Sequence, residues 1–330
     1  MNRTSCSPAP LPNPSAPSSA ALLEQKVLAG LRRRPKSLPS AYLYDEEGSR
    51  LFRRIMALPE YYVSRAEAEI LATHARRMAE VCAARRVALV DLGAGDGSKT
   101  RVLLDALTRT CEELTYAPVD ICAQALAELE VSHAEHHPRV PIACFVGDYA
   151  GGLAAVARRF PDHRRVALFL GSNLGNLAGA EAQALLATWR RALRPGDALL
   201  LGLDLVKDPE VLQAAYDDRA GVTAAFNLNL LERMNRELGA DFDPSSFRHY
   251  ARFEPRRNAM ESFLVSTRDQ LVRVAGECIG FAAWEAIQTE ISCKYRESDV
   301  VAMARGAGFS PVEWFYDSRR WFLNALLRAE

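Results

Sequence analysis

The string VALVDLGAGDGSKT at 87–100 constrains this chain more than any other: an apolar run ends in glycines at alternate positions, Gly93, Gly95 and Gly97, and a helical pattern starts at once. A run of that kind reads as a strand covered on both faces, and glycines at its exit let a ligand approach the backbone closely. From Ser98 onward Val102, Leu103, Ala106 and Leu107 fall at helical spacing. Further strands follow in LTYAPVDI, VPIACFVGD, VALFLGSNLGNL and ALLLGLDLV, with helical stretches between them. Such alternation predicts a Rossmann-like α/β domain built on a mainly parallel sheet.

The chain is too long for that unit alone, since 330 residues exceed the size at which one core usually stops growing. The spacing of Ser64 and Glu67 has the form of a capping box opening a helix. After Val206 the alternation stops. Asp208 and Pro209 have the form of an N-cap and first helical residue, opening a long helical run to Leu238 that Gly239 can end. The segments ESFLVST and AIQTEIS then read as strands. Near the end ESDVVAMARGAGF reads as a helix, and PVEWFYD and WFLNALLRA as a hairpin completing the sheet. The expected organisation is an arm over 1–20, part of a smaller α+β substrate-binding domain over 21–63, the α/β domain over 64–206, an inserted substrate-binding segment over 207–293, and the end of the α/β domain over 294–330.

Charge and composition remove several function classes. Lys+Arg and Asp+Glu both number 41, so there is no basic field to gather nucleic acid or an anionic membrane surface. No apolar run approaches the roughly 18 residues that a membrane span needs. The seven cysteines are scattered without a CxxC pair, so no metal site is expected and a reducing cytoplasm fits best. The opening MNRTSCSPAPLPNPSAPSSA lacks the apolar core of a secretion signal and reads as a disordered arm. A cytoplasmic monomer acting on a small molecule is the expectation.

The glycine spacing is GxGxG, not the GxGxxG that admits a pyrophosphate, and no second nucleotide-binding half follows. A single nucleoside therefore fits better than the dinucleotide of an oxidoreductase. Asp120 ends the next strand, where such folds bind the two ribose hydroxyls. Asp148 closes CFVGDY and reads equally as an adenine contact or as a turn residue. Lys99 lies in the first turn of a helix, where the dipole disfavours a cation, so it gains from an anionic ligand group; a solvated lysine is the alternative. Glu290 and Ser292 leave the same face of a strand, as a solvated face or as a pair able to satisfy both nitrogens of an imidazole. Asn176 should stand at the carboxyl end of a parallel strand. Tyr44, Tyr61 and Tyr216 read either as packing or as buried rings offering hydroxyls.

Beyond these readings, the chain resembles the histidine Nα-methyltransferases of ergothioneine biosynthesis. The likeness runs from about Tyr42 to the end through YLYDEEGSRLF, LPEYYVSRAEAEIL, DLGAGDGSKTRVLLDAL, YAPVDI, VGDY, FLGSNLGNL, DLVKDPEVLQAAYDDRAGVTAAFNLNLLERMNRELGADFD and TEISCKY. The resemblance implies a class I methyltransferase fold, S-adenosylmethionine as cofactor and L-histidine as substrate, trimethylated to hercynine. It implies cofactor contacts at Gly93, Lys99, Asp120, Asp148 and Tyr149, to which the loop adds Gly95. It places Tyr61, Gly171, Asn176, Tyr216, Glu290 and Ser292 around histidine, with Tyr44 as the catalytic hydroxyl beside the transferred methyl group. One position departs: many members carry methionine in a substrate wall where this chain has Ser262, which leaves another amino acid open as the substrate.

Overall fold

A computed structural model gives the structure and describes residues 19–330. The arm expected over 1–20 lies outside them except for Ser19 and Ala20, which begin helix α1 (Ser19–Leu31). There follow β1 (Lys36–Ser37), a 3-10 turn over Ser40–Leu43, α2 (Glu46–Met56) and α3 (Val63–Cys82). Helix α3 does not start on the expected capping box: Tyr62 precedes it without a side-chain cap, and Glu67 is fully buried and committed elsewhere.

The α/β unit then runs β2 (Arg86–Leu92), α4 (Ser98–Leu107), β3 (Glu113–Asp120), α5 (Ala123–His136), β4 (Phe145–Val146), α6 (Tyr149–Arg159), β5 (Arg164–Phe169), a 3-10 turn over Asn173–Asn176, α7 (Gly179–Ala192) and β6 (Ala198–Asp204). Alternate residues of each strand feed two cores. Val87, Leu89, Val166, Leu168 and Leu200 face one, while Ala88, Val90, Ala167, Phe169 and Leu201 face the other. Both faces are therefore covered by apolar packing, which is why these strands read as unbroken apolar runs. The third expected strand, VPIACFVGD, forms only the two residues of β4, at the sheet edge.

Beyond β6 come α8 (Pro209–Tyr216), α9 (Val222–Leu238), β7 (Phe247–Glu254), β8 (Ala259–Ser266), β9 (Gln270–Val274), β10 (Glu277–Phe281) and β11 (Ala286–Cys293), and then α10 (Glu297–Gly306), β12 (Phe309–Tyr316) and β13 (Phe322–Ala329). Asp208 caps α8 with Pro209 at its first turn, and Gly239 ends α9 in the left-handed region, as expected. The single long helix is broken, however. Asp218 accepts from Val222 N at 3.0 Å and Thr223 N at 2.7 Å, starting a second helix after the turn. Strands β7, β9 and β10 were not legible in the sequence.

The large sheet has the order β12-β13-β6-β5-β2-β3-β4; β6, β5, β2, β3 and β4 are parallel, and β13 and β12 close one edge as an antiparallel hairpin. The chain builds outward from β2 through β3 and β4, then returns to the other side of β2 with β5. Strand order thus reverses beside β2, and the crevice at the carboxyl ends of β2 and β5 is where such sheets bind ligands. A second sheet, β1-β11-β8-β7, stands apart with antiparallel β11–β8–β7 pairs. Its β11 packs against the 3-10 turn that follows β5, bringing the two sheets together over the crevice.

Candidate active site

The glycine loop leaves β2 with Gly93, Gly95 and Gly97 at φ +78°, +55° and +66°, a left-handed run that other residues resist. Two bonds tie it to β3: Gly93 N donates to Val119 O at 2.8 Å, and Gly95 N reaches Asp120 Oδ2 at 3.4 Å. The other Asp120 oxygen accepts from Cys122 N at 3.0 Å. Buried Asp91 fixes the start of α4, accepting from Thr100 Oγ1 at 2.5 Å and Tyr116 OH at 2.8 Å. Ile121 and Val146, 76% and 64% exposed, follow the acidic end of β3 and lie in β4, two apolar side chains left in the open beside the loop. The sequence reading did not single them out. Together the exposed glycine backbone, a carboxylate and uncovered apolar side chains have the character that a nucleoside requires.

Asp148 is the N-cap of α6, accepting from Gly151 N at 2.6 Å. Of its two readings, the local helix role is realised, and its second oxygen carries no bond among the described residues. Tyr149 lies against the loop: a Cβ on Gly93 would meet its ring at 3.3 Å. Lys99 is not a free cation; Nζ donates to Glu67 Oε2 at 2.6 Å. Glu67 also accepts from Gly171 N, at 2.9 and 3.0 Å. This one buried carboxylate therefore joins the helix after the glycine loop to the turn after β5.

Gly171 opens onto a cavity whose wall also includes Tyr44, Tyr61, Asn176, Tyr216, Glu290 and Ser292. Seven residues separated by almost the whole described chain thus meet in one hollow. Phe52, Ile55 and Phe226 complete its apolar side. Tyr44 is carried by the turn before α2, and Asp45 clamps that turn. Asp45 accepts from Gly48 N at 2.7 Å, from Asn229 Nδ2 of α9 at 2.8 Å, and from Arg236. The Tyr44 ring meets Phe52 and Phe226 edge-on, with centroids 5.3 and 5.4 Å away. More than a third of this residue, 38%, opens onto space. Its hydroxyl nonetheless sits among Glu290, Tyr216 and Tyr149, where burial first and then the nearby carboxylate hold the phenol above its ordinary pKa. Burial raises Tyr61 in the same way.

Glu290 and Ser292 leave β11 on the cavity side, as their two-residue spacing predicts. A bulge between Gln288 and Glu290 aims them. Burial pushes the Glu290 carboxyl up to about 7, with Lys294 and Ser262 opposing. Ser262 corrects an expectation: it does not line the hollow. It pairs opposite Glu290 on β8 and donates to Glu290 Oε2 at 3.4 Å, behind the carboxylate. In this chain the position thus supports Glu290. The Asn176 amide lines the cavity with no side-chain hydrogen bond to any described residue.

A buried charge network behind the wall was missed. Lys294 Nζ donates to Tyr216 OH, Ser292 Oγ and Asp204 Oδ2, each at 2.8 Å. Asp204 also takes Lys207 and the Tyr62 hydroxyl, the latter at 2.8 and 2.9 Å. Burial works against the charge on Lys294, but Asp204 and Tyr216 together more than offset it and keep the ammonium protonated. Lys207 is the weaker partner, lowered by burial to about 8 despite Asp204. The string TEISCKY contained Lys294, two positions beyond Ser292 on the same strand face, so that signal was available; Asp204 and Tyr62 had none.

Residues 23–329 match the family model described as histidine-specific methyltransferase, SAM-dependent. A histidine N-alpha-methyltransferase of Mycolicibacterium smegmatis is 44% identical over 92% of this chain and 94% of its own. One of Mycobacterium tuberculosis is 41% identical over 89% and 91%. Ergothioneine biosynthesis protein 1 of Neurospora crassa is 31% identical over 86% of this chain, which corresponds to 32% of that longer protein.

Proposed function

The chain belongs to the family of SAM-dependent, histidine-specific methyltransferases, and from that premise we propose that it trimethylates the α-amino group of L-histidine to hercynine, the first step of ergothioneine biosynthesis. The observation that carries this reading is the meeting of Glu290, Ser292, Tyr216, Asn176 and Tyr44 in one cavity that opens beside Gly171, next to the glycine-loop side of the sheet.

S-adenosylmethionine supplies an electrophilic methyl group on its sulfonium. The glycine backbone at 93–97, Asp120 and Tyr149 would hold it, and Lys99, already bonded to Glu67, would turn its remaining donors to the carboxylate. What remains for the protein is to align an amine lone pair with that methyl group and exclude water. Glu290 and Ser292 hold the imidazole ring, while the free amide of Asn176 and the Tyr216 hydroxyl face the amino-acid backbone end. Tyr44 stays a neutral phenol because its pKa is raised. It therefore acts by hydrogen bonding the amine and not as a phenolate base, and the amine proton passes to solvent. Phe52 and Phe226 keep the hollow apolar on the remaining side. Anchoring through the ring also accounts for three rounds: each methylation removes an N–H from the amine, but none from the ring contacts.

The test is a panel of free amino acids incubated with the enzyme and S-adenosylmethionine and read by mass spectrometry. Histidine is expected to accumulate mono-, di- and trimethyl products in preference to every other member. Faster turnover of another amino acid, or none of histidine, would overturn the assignment.

A further inference from the structure

We propose that Lys294 is a positioning residue that sets ring selectivity: by donating to both Tyr216 and Ser292, it bars the one hydrogen that this pair has left over from turning inward and aims it at the cavity, where a bound ring can accept it. This inference rests on the reading of the cavity as an imidazole site.

Three N–H groups of Lys294 are taken by Tyr216, Ser292 and Asp204. Tyr216 OH lies 2.7 Å from Ser292 Oγ, so one of the two hydroxyl hydrogens fills that gap. If Tyr216 donates, Ser292 Oγ already accepts twice, from Tyr216 and from Lys294, and its own hydrogen must point elsewhere. If Ser292 donates, the same holds with the roles exchanged. Neither hydroxyl can turn its hydrogen toward Lys294, which is a donor only. Both residues line the cavity, so the hydrogen left over is offered there. Glu290, two residues from Ser292, presents the opposite character when ionised, since a carboxylate only accepts.

A wall with one donor and one acceptor matches a ring with one bare nitrogen and one N–H, the neutral form of imidazole. A ring with N–H groups only leaves the hydroxyl hydrogen unpaired in a dry site, which is costly.

The decisive experiment is internal competition between histidine and the two pyrrolylalanine isomers, whose rings keep an N–H for Glu290 but have C–H in place of the bare nitrogen. Product ratios give relative kcat/KM directly. The unmodified enzyme is expected to prefer histidine strongly. Lys294→Gln places a side-chain acceptor where only donors stood, so the hydroxyl hydrogen can turn inward; it should lower that preference by about tenfold or more, while adenosylhomocysteine affinity is retained. Lys294→Met releases Asp204 Oδ2 as an acceptor behind the wall; it should lower the preference likewise and serves if the glutamine variant fails to fold. Ser292→Ala combined with either should give no further loss of preference. Equal falls in activity on both substrates, with the preference intact, would overturn the role of Lys294 while leaving histidine as the substrate. Failure of the unmodified enzyme to methylate histidine would instead overturn the function on which the proposal rests.

Discussion

Glu290 illustrates how one buried group ties stability to substrate. Its carboxyl is lifted from 4.5 to about 7, chiefly by burial. Between those values the empty folded chain keeps a proton that the unfolded chain has lost, so stability falls as pH rises through that window. A shift of that size corresponds to roughly 3 kcal/mol at most. Glu290→Gln removes the titration; its melting temperature relative to the unmodified protein is expected to rise between about pH 5 and 8, as followed by thermal unfolding at several pH values. Histidine binding by calorimetry should change in the opposite sense, weakening in the unmodified enzyme as pH falls through about 7 and being weak throughout in the variant. A constant gap in melting temperature across the range would mean the carboxyl titrates near its ordinary value. At this scale the sequence revealed what depends on near neighbours: Glu290 and Ser292 share a face because strands alternate. It hid what depends on distant ones. Tyr62 meets Asp204 across 142 positions, with no local pattern to announce it. Glu67 was misread because its spacing from Ser64 imitates a cap, whereas its real partners are Lys99 and Gly171.

The elements divide in the same way. The parallel strands were legible because burial on both faces forces an apolar run, and the closing hairpin because its strands are long. Strand β7 was not, although it is as long, since only Phe247 and Ala251 are buried along it, four positions apart, a spacing that imitates a helix. The break between α8 and α9 was hidden because both helices carry apolar faces in a nearly continuous rhythm, and only Asp218 and Gly221 mark the boundary. Burial opposes the charge on Asp218, but the amides of Thr223 and Val222 hold its pKa below the ordinary value. Asp218→Ala leaves two first-turn amides of α9 without their acceptor and should therefore cost about 1–2 kcal/mol, the size of a lost helix cap. The loss should be largest near neutral pH and shrink in acid, where the aspartate is protonated in both states. Chemical denaturation at two pH values measures this. Thr223 and Phe226 line the cavity from the first turns of α9, so the variant should also bind histidine less tightly. A variant as stable as its parent at neutral pH would show that α9 needs no cap.

Across the whole molecule, Glu67 joins the helix after the glycine loop to the wall of the cavity. Helix α3 sets its carboxylate between Lys99 of α4 and the backbone of Gly171, and β6 makes room with Gly202, where a Cβ would lie 2.1 Å from Glu67 Oε1. A cofactor carboxylate that drew on Lys99 would weaken the hold of Lys99 on Glu67 and leave that acceptor more fully to Gly171, stiffening the turn that carries Asn176. Cofactor binding should thus tighten histidine binding, and linkage requires histidine to tighten cofactor binding by the same factor. The coupling expected from one such redistributed charged contact is about 1–2 kcal/mol, or roughly fivefold to thirtyfold. Glu67→Gln keeps an acceptor for Gly171 N but surrenders the ionic hold on Lys99, so the factor should fall toward one while each ligand still binds alone. Calorimetric titration of histidine with and without saturating adenosylhomocysteine, in both proteins, gives the four affinities needed. If the factor is the same in Glu67→Gln as in the unmodified enzyme, the two ligands communicate by some other route; if it collapses, a residue that the sequence offered only as a helix cap is the link between cofactor and substrate.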